Sequence, residues 1–193
     1  MTNAARGAAE NARSLWLADA NQYDMTANPD HPAGLEHGDL PALGILEELD
    51  PKMRARLSSR GRLETLKPGT FVIHQGRHHH GLSVIIKGKL SVSCHAHGDY
   101  LPLAELGPGH TVGEMSLLDP QKSSADVCVN DEEALLWTID GDAFNQLVES
   151  DHEVGCAVFR MLGCETCRRL RQNSDHMLHK ADEMRSHFLD MDY

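Results

Sequence analysis

The stretch "LGPGHTVGEMSLLDPQKSSADV", residues 106–127, decides how this chain reads. A Gly-Pro-Gly turn leads into Thr111 and Val112. Gly113 and Glu114 then open a short apolar segment, Asp119-Pro120 ends it, and Ser123 and Ser124 lead into "ADVCV". Gly113 permits positive φ or a close backbone approach. Met115, Ser116, Leu117 and Leu118 suit one helical turn whose free N–H groups point at an anion. Glu114 is placed either to accept from sugar hydroxyls or, as an N-cap carboxylate, to serve its own helix. The whole has the form of a phosphate cradle, yet it contains no arginine.

Outward from this stretch the pattern is β. "TFVIHQ" (70–75), "LSVIIKGKLSVSCH" (82–95), "YLPLAEL" (100–106), "ADVCV" (125–129) and "ALLWTID" (134–140) are short β-branched or alternating runs. Turns rich in Gly, Pro, Asp and Asn separate them. Such spacing predicts an all-β barrel or sandwich. Before it, Leu43, Ile45, Leu46, Leu49, Met53 and Leu57 recur at helical spacing, and Asp50-Pro51 reads as an N-cap with proline at N1. Helices are expected over 41–48 and 51–58. After the strands, "DAFNQLVES" (142–150) is one helix and residues 151–189 a second, longer one. Residues 1–38 have the Asn, Asp, Pro and Gly of a flexible leader, with a short helix around Leu15, Trp16 and Leu17. The expected division is leader 1–38, β-roll with N-terminal helices 39–150, and helix 151–193.

The chain has 193 residues, enough for one domain with an appended element. Its 18 basic and 29 acidic side chains give a formal charge of −11, which argues against nonspecific binding to nucleic acid or anionic membrane. The first residues lack the apolar core of a signal peptide, and no run reaches the roughly 18–20 residues of a membrane helix. Five scattered cysteines suit reduced thiols, so the expected location is cytoplasmic.

The long helix carries a seam. Gly163, Cys167, Leu170, Ser174, Met177, Ala181, Met184, Phe188 and Met191 alternate four and three apart, which is heptad spacing. Packing of the helix on its own barrel is one explanation. The seam outlasts one barrel-sized contact, which favours a homodimer. Arg168, Arg169 and Arg171 form a basic cluster that reads as a solvated helix face.

Thirteen histidines invite a metal reading. "HHH" at 78–80 falls in a loop, His95 and His97 share a strand face, His152 and Cys156 are i,i+4, and Cys164 and Cys167 are i,i+3. None completes a four-ligand zinc set, so no metal is expected. Cys167 is either an inert thiol or a site of intersubunit disulfide formation on oxidation. No G-x-S-x-G, P-loop or H-E-x-x-H occurs, so no enzyme is expected. "CHAHGD" is a faint echo of a cupin metalloenzyme motif, without the second histidine motif that chemistry needs.

Three segments resemble the cyclic nucleotide-binding domains of catabolite activators, protein kinase A regulatory subunits and nucleotide-gated channels. "LKPGTFVIHQG" (66–76) resembles that family's opening strand. "GLSVIIKGKLSV" (81–92) resembles its "SLYVILSGRV" segment, with Gly88 at the hairpin turn. "LGPGHTVGEMSLL" (106–118) resembles its "LGPGDVFGELALL" run into the phosphate cassette. The likeness covers roughly residues 40–175, in order. It implies a mainly β fold with flanking helices: a jelly-roll β-roll followed by a long C-terminal helix. It also implies that Glu114 holds the ribose 2′-hydroxyl. The family's cassette ends P-R-[SAT]-A-x-V; Ser124, Ala125 and Val127 match, but Ser123 stands where arginine is expected. A charged hydrogen bond is worth roughly 1.5–3 kcal/mol and a neutral one about 1. Lys122 either supplies a point charge or is a solvated loop lysine. "CRRLRQNSDHM" (167–177) resembles the catabolite activators' dimer helix, where a Thr-Ser pair reaches the adenine, the serine from across the dimer. Asn173 and Ser174 occupy those places.

The expected ligand site is therefore Gly113, Glu114, Met115, Ser116, Lys122, Ser123, Ser124, Ala125, Asn173 and Ser174. The expected function is a standalone sensor that binds a cyclic nucleotide, cyclic AMP or cyclic GMP, with no cofactor, and signals to a separate, unidentified protein. After Phe188 only "LDMDY" remains, so no DNA-reading element and no DNA partner are expected, and no membrane. The alternative is a degenerate domain that binds no nucleotide and serves protein–protein interaction.

Overall fold

The computed structural model describes residues 40–189 except 97 and 131, and side chains as far as residue 179 except 176. The leader 1–38 with its expected helix, His97 and Met191 lie outside the described residues, as do the side chains of Ala181, Met184 and Phe188. A 3-10 turn at Gly44–Glu48 precedes α1 (Pro51–Ser58). Eight strands follow: β1 (Arg62–Leu66), β2 (Phe71–Ile73), β3 (Gly81–Lys87), β4 (Leu90–Ala96), β5 (Asp99–Leu106), β6 (Thr111–Val112), β7 (Asp126–Val129) and β8 (Ala134–Asp140). The short helix α2 (Glu114–Leu118) interrupts them between β6 and β7. Helices α3 (Gly141–Ser150) and α4 (His152–Leu189) close the order. The fold is thus mainly β with flanking helices.

The strands form two antiparallel four-stranded sheets, ordered β1-β8-β3-β6 and β2-β7-β4-β5. One core lies between them, where Ile85, Val112 and Leu136 meet Ile73, Leu90, Val127 and Val129. The other lies behind the first sheet. There Leu82, Val84, Trp137 and Ile139 pack under Ile45, Leu46, Leu57, Phe144, Val158 and Leu162. The first sheet is covered on both faces, which is why "LSVII" is almost continuously apolar rather than alternating. Trp137 donates from Nε1 to the Ser58 carbonyl at 3.3 Å, so its polar edge is satisfied inside the core. Gly88 turns the β3–β4 hairpin at φ 85°, where a Cβ would stand 2.7 Å from the Glu133 carbonyl.

Asp50 caps α1 as expected, accepting from the Met53 N–H at 2.8 Å. The expected helix over 41–48 is instead the five-residue 3-10 turn. Gly44 takes φ 53° there and lies against Gly109, where a Cβ would meet the Gly109 carbonyl at 2.3 Å, and that contact displaces a regular α turn. The β region, expected from Leu63 to Ile139, opens with a strand that precedes "TFVIHQ". "RLETL" is β1, an edge strand paired only with β8, from Arg62↔Thr138 to Leu66↔Ala134. Its side chains are all half-buried, so it shows no apolar alternation.

Helix α4 is 38 residues long, about 57 Å. Val154, Val158, Met161 and Leu162 bury against the barrel. From Leu170 to His179 every described side chain is exposed. Leu170, Met177 and Leu178 are 65%, 64% and 66% exposed. Among the described side chains, the helix therefore packs on its own barrel only along its first part. No helix among the described residues is long and apolar enough to cross a membrane.

Candidate functional site

The quoted stretch folds into one continuous frame. After β6 the chain turns at Gly113, with φ 85°. A Cβ there would stand 2.2 Å from the Gly81 carbonyl and 2.8 Å from His79 Nε2. Glycine is thus required twice, for the backbone angle and for the approach to the β2–β3 loop. The Ser116 N–H closes onto the Gly113 carbonyl at 3.1 Å, and Ser116 is buried while Met115 is exposed.

Glu114 turns inward and is only 6% exposed. It is not the N-cap: that residue is Gly113, without a side chain. Its partner comes from α4. Arg169 donates from Nη1 to Glu114 Oε1 at 2.8 Å, from Nη2 to the Thr111 carbonyl at 2.9 Å, and from Nε to Glu165 Oε1 at 3.0 Å. Glu165 is also buried and accepts from Arg168 as well. Arg169 is therefore not the solvated residue that its sequence neighbourhood suggests. It ties the first turn of the cassette, β6 and α4 into one charged cluster. The i,i+4 pair Glu165–Arg169 was visible in sequence. The link to Glu114, 55 positions away, was not. Glu114 Oε2 is buried with no hydrogen-bond partner. Burial raises the Glu114 carboxyl above its ordinary value, and the Arg169 charge opposes this only in part.

The other end of the cassette is built differently. Lys122 is exposed and forms an isolated antiparallel bridge with His78. The Ser123 N–H donates to the Arg77 carbonyl at 2.8 Å, and the Gly76 N–H donates to the Ser123 carbonyl at 2.8 Å. Ser123 and Ala125 are half-buried and Ser124 is exposed. Asp126, next in the chain, is fully buried, and its Oδ1 accepts from the Gln75 N–H at 2.8 Å. The β2–β3 loop thus backs the whole cassette, with Gln75 to Arg77 at one end and His79 at the other.

The "HHH" run divides by position. His79 Nε2 is buried without a partner, and burial lowers its imidazole pKa. His80 Nε2 lies 3.2 Å from Asp142 Oδ1, and with Asp140 these offer three ligand atoms within 4.8 Å of one another. The same groups have structural tasks, since Asp140 Oδ1 caps α3 by accepting from the Asp142 N–H at 2.8 Å. His152 bonds the Val148 carbonyl at 2.8 Å rather than Cys156. Cys164 and Cys167 are exposed and line a shallow groove with Arg160, Arg168 and Arg171. Burial pushes the Cys128 thiol up to about 11.

Asn173 and Ser174 are exposed. Asn173 lies one helical turn beyond Arg169 on the same face, about 6 Å further along the axis. Ser174 lies with Leu170 on the seam and donates to the Leu170 carbonyl at 3.0 Å. The structure brings together Gly113, Glu114, Met115 and Ser116, and, through the β2–β3 loop, Lys122 to Ala125. It leaves Asn173 and Ser174 on the projecting helix.

Residues 63–151 match the family model for the cyclic nucleotide-binding domain. No curated protein matches the sequence. A cyclic nucleotide-binding domain from Methylobacillus flagellatus KT is similar in structure, with TM-score 0.65 and 22% identity over 68% of this chain and 74% of that one. The N-terminal domain of a transcriptional regulator from Streptomyces coelicolor A3(2) has TM-score 0.56 and 28% identity, over 69% and 90%. The catabolite activator protein of Thermus thermophilus has TM-score 0.60 and 26% identity over 69% of this chain, which spans 61% of that protein's length. With its two antiparallel sheets, its cassette between β6 and β7 and its long last helix, the chain carries a domain of the cyclic nucleotide-binding family over residues 63–151.

Proposed function

We propose that the protein is a regulatory sensor that binds cyclic AMP or cyclic GMP in the cassette and passes the signal through α4 to a separate protein. The carrying observation is Glu114. Its carboxylate is buried and ion-paired on one oxygen, while the other oxygen has no partner. Buried polar atoms without partners are rare and want an explanation. The ribose 2′-hydroxyl of a cyclic nucleotide, donating to Oε2, supplies one. Gly113, Met115 and Ser116 frame that acceptor, and Ser123, Ser124 and Ala125 line the phosphate side, with Lys122 adjacent in the chain.

Arg169 makes the coupling physical. It joins Glu114 to α4, so a ligand that changes the Glu114 environment changes the free energy of the helix position. The projecting part of α4 suits pairing with a second copy through Leu170, Ser174 and Met177. Such a homodimer would place Asn173 and Ser174 beside the base of the nucleotide. The second reading, an interaction module that binds no nucleotide, is favoured by the neutral Ser123.

Thermal shift against cyclic AMP and cyclic GMP at about a millimolar separates these readings. A ligand at 100 times its dissociation constant stabilises by roughly 2.7 kcal/mol, several degrees for a domain of this size. The expected result is a shift that Glu114→Ala removes. No shift with either nucleotide sinks the sensor reading in favour of the interaction module. Sedimentation of the same samples tests the helix pairing, and a strict monomer excludes Ser174 from a neighbour's pocket.

A further inference from the structure

The phosphate side of the cassette lacks a cation in its own sequence, and the fold brings one to it from elsewhere. The His78↔Lys122 bridge sets the register between the β2–β3 loop and the cassette loop. In an antiparallel pairing the residues flanking a bridge face each other on the opposite side of the ladder, with Cβ atoms about 5 Å apart. The flanking pair here is Arg77 and Ser123. The backbone confirms the juxtaposition, because the Ser123 N–H donates to the Arg77 carbonyl at 2.8 Å. Gly76, at φ 75°, turns the chain immediately before Arg77.

The Arg77 side chain is exposed, and among the described residues its guanidinium has no ion pair or hydrogen bond. Arg56, Arg62, Arg168 and Arg169 are all paired to carboxylates. Asp126, just beyond the cassette serines, is fully buried; its Oδ1 accepts from the Gln75 N–H and its Oδ2 has no hydrogen-bond partner. Lys122 lies on the other side of the ladder with His78 and offers a point charge rather than a planar fork.

We propose that Arg77 supplies in trans, across the loop pairing, the phosphate-binding guanidinium absent at Ser123, so that an anionic ligand is held between Arg77 and the hydroxyls of Ser123 and Ser124. This rests on the reading of the cassette as a cyclic nucleotide site. It moves the charge from the cassette to the loop behind it, and it makes the β2–β3 loop part of the ligand site.

The test is calorimetric binding of cyclic AMP and cyclic GMP to the full chain, with adenosine and guanosine as uncharged probes. Arg77→Gln is expected to weaken the cyclic nucleotides about tenfold or more and to leave the nucleosides unchanged. Adding Ser123→Arg to that variant is expected to restore the loss. Lys67→Gln, an exposed lysine between β1 and β2, controls for net charge and is expected to bind as wild type. Unchanged cyclic nucleotide binding by Arg77→Gln overturns the inference. So does an equal loss for nucleoside and nucleotide, or a loss that follows Lys122→Gln instead. Wild type that binds neither cyclic nucleotide overturns the nucleotide reading itself, and the inference with it. Melting curves without ligand confirm that each variant is folded.

Discussion

The two ends of the cassette solve opposite problems. At Gly113–Glu114 every feature is enclosed: a positive-φ glycine against a carbonyl, a buried carboxylate, and an arginine held by three acceptors. At Lys122–Ser124 side chains are exposed or half-buried, and the ties among the described residues are backbone hydrogen bonds to a loop. The first end is held by its own side chains and leaves Glu114 Oε2 and His79 Nε2 without hydrogen-bond partners. The second is held by its backbone and leaves Lys122 and Ser124 exposed. A family pattern is therefore least replaceable where the fold itself depends on it, and most replaceable where only the ligand does.

The largest expected effect breaks the enclosed end. Gly113→Ala adds a Cβ 2.2 Å from the Gly81 carbonyl, at φ 85°. The left-handed backbone alone costs about 1–2 kcal/mol, and the contact brings the expected loss to about 3 kcal/mol or more. Differential scanning calorimetry should register a fall of about 10 °C. A loss below about 1 kcal/mol would mean the β2–β3 loop yields freely. Alanine at Ser124, which is exposed, is the matching change at the open end and is expected to leave stability within about 0.5 kcal/mol.

Arg169→Ala comes next, at about 2 kcal/mol, because it strands a buried carboxylate while Glu165 keeps Arg168. Its pH signature is more telling than its size. The Glu114 carboxyl is already raised above its ordinary 4.5 by burial. A folded-state pKa above the unfolded one means that the native state binds more protons, so stability falls as pH rises from about 4.5 through the folded value. Removing Arg169 raises that value further. The variant should therefore regain more stability on acidification than wild type does. Parallel pH profiles would refute the charge cluster.

The smallest effect concerns His79, which closes the enclosed end from behind. Burial lowers its pKa below the ordinary 6.5. The unfolded state then binds the extra proton, so stability is lost as pH falls from about 6.5 through the folded value. His79→Gln should flatten the melting-temperature profile over that range. An unchanged slope would assign acid sensitivity to other histidines.

Much of this was legible in one dimension. "ALLWTID" is β8 to the residue, and "LSVIIKGKLSVSCH" is the β3–β4 hairpin apart from one residue at each end. The Asp50-Pro51 cap and the turn at Gly113 also follow from local chemistry. What escaped has a common cause. "RLETL" is an edge strand whose half-buried side chains carry no period. The turn at 44–48 is set by Gly109, far along the chain. Arg169 looked solvated because its neighbours in sequence are charged, whereas its neighbours in space are Glu114 and Thr111.

Strand periodicity, glycine placement and cap residues act over a few bonds, so the chain alone specified a β-roll, a cassette between β6 and β7, and a long last helix. Pairing between distant segments depends on how loops and helices pack, and that belongs to the folded state. It was packing that turned Glu114 from a possible cap into a buried acceptor tied to α4. Packing also set Arg77 opposite the serine that replaces the cassette's arginine.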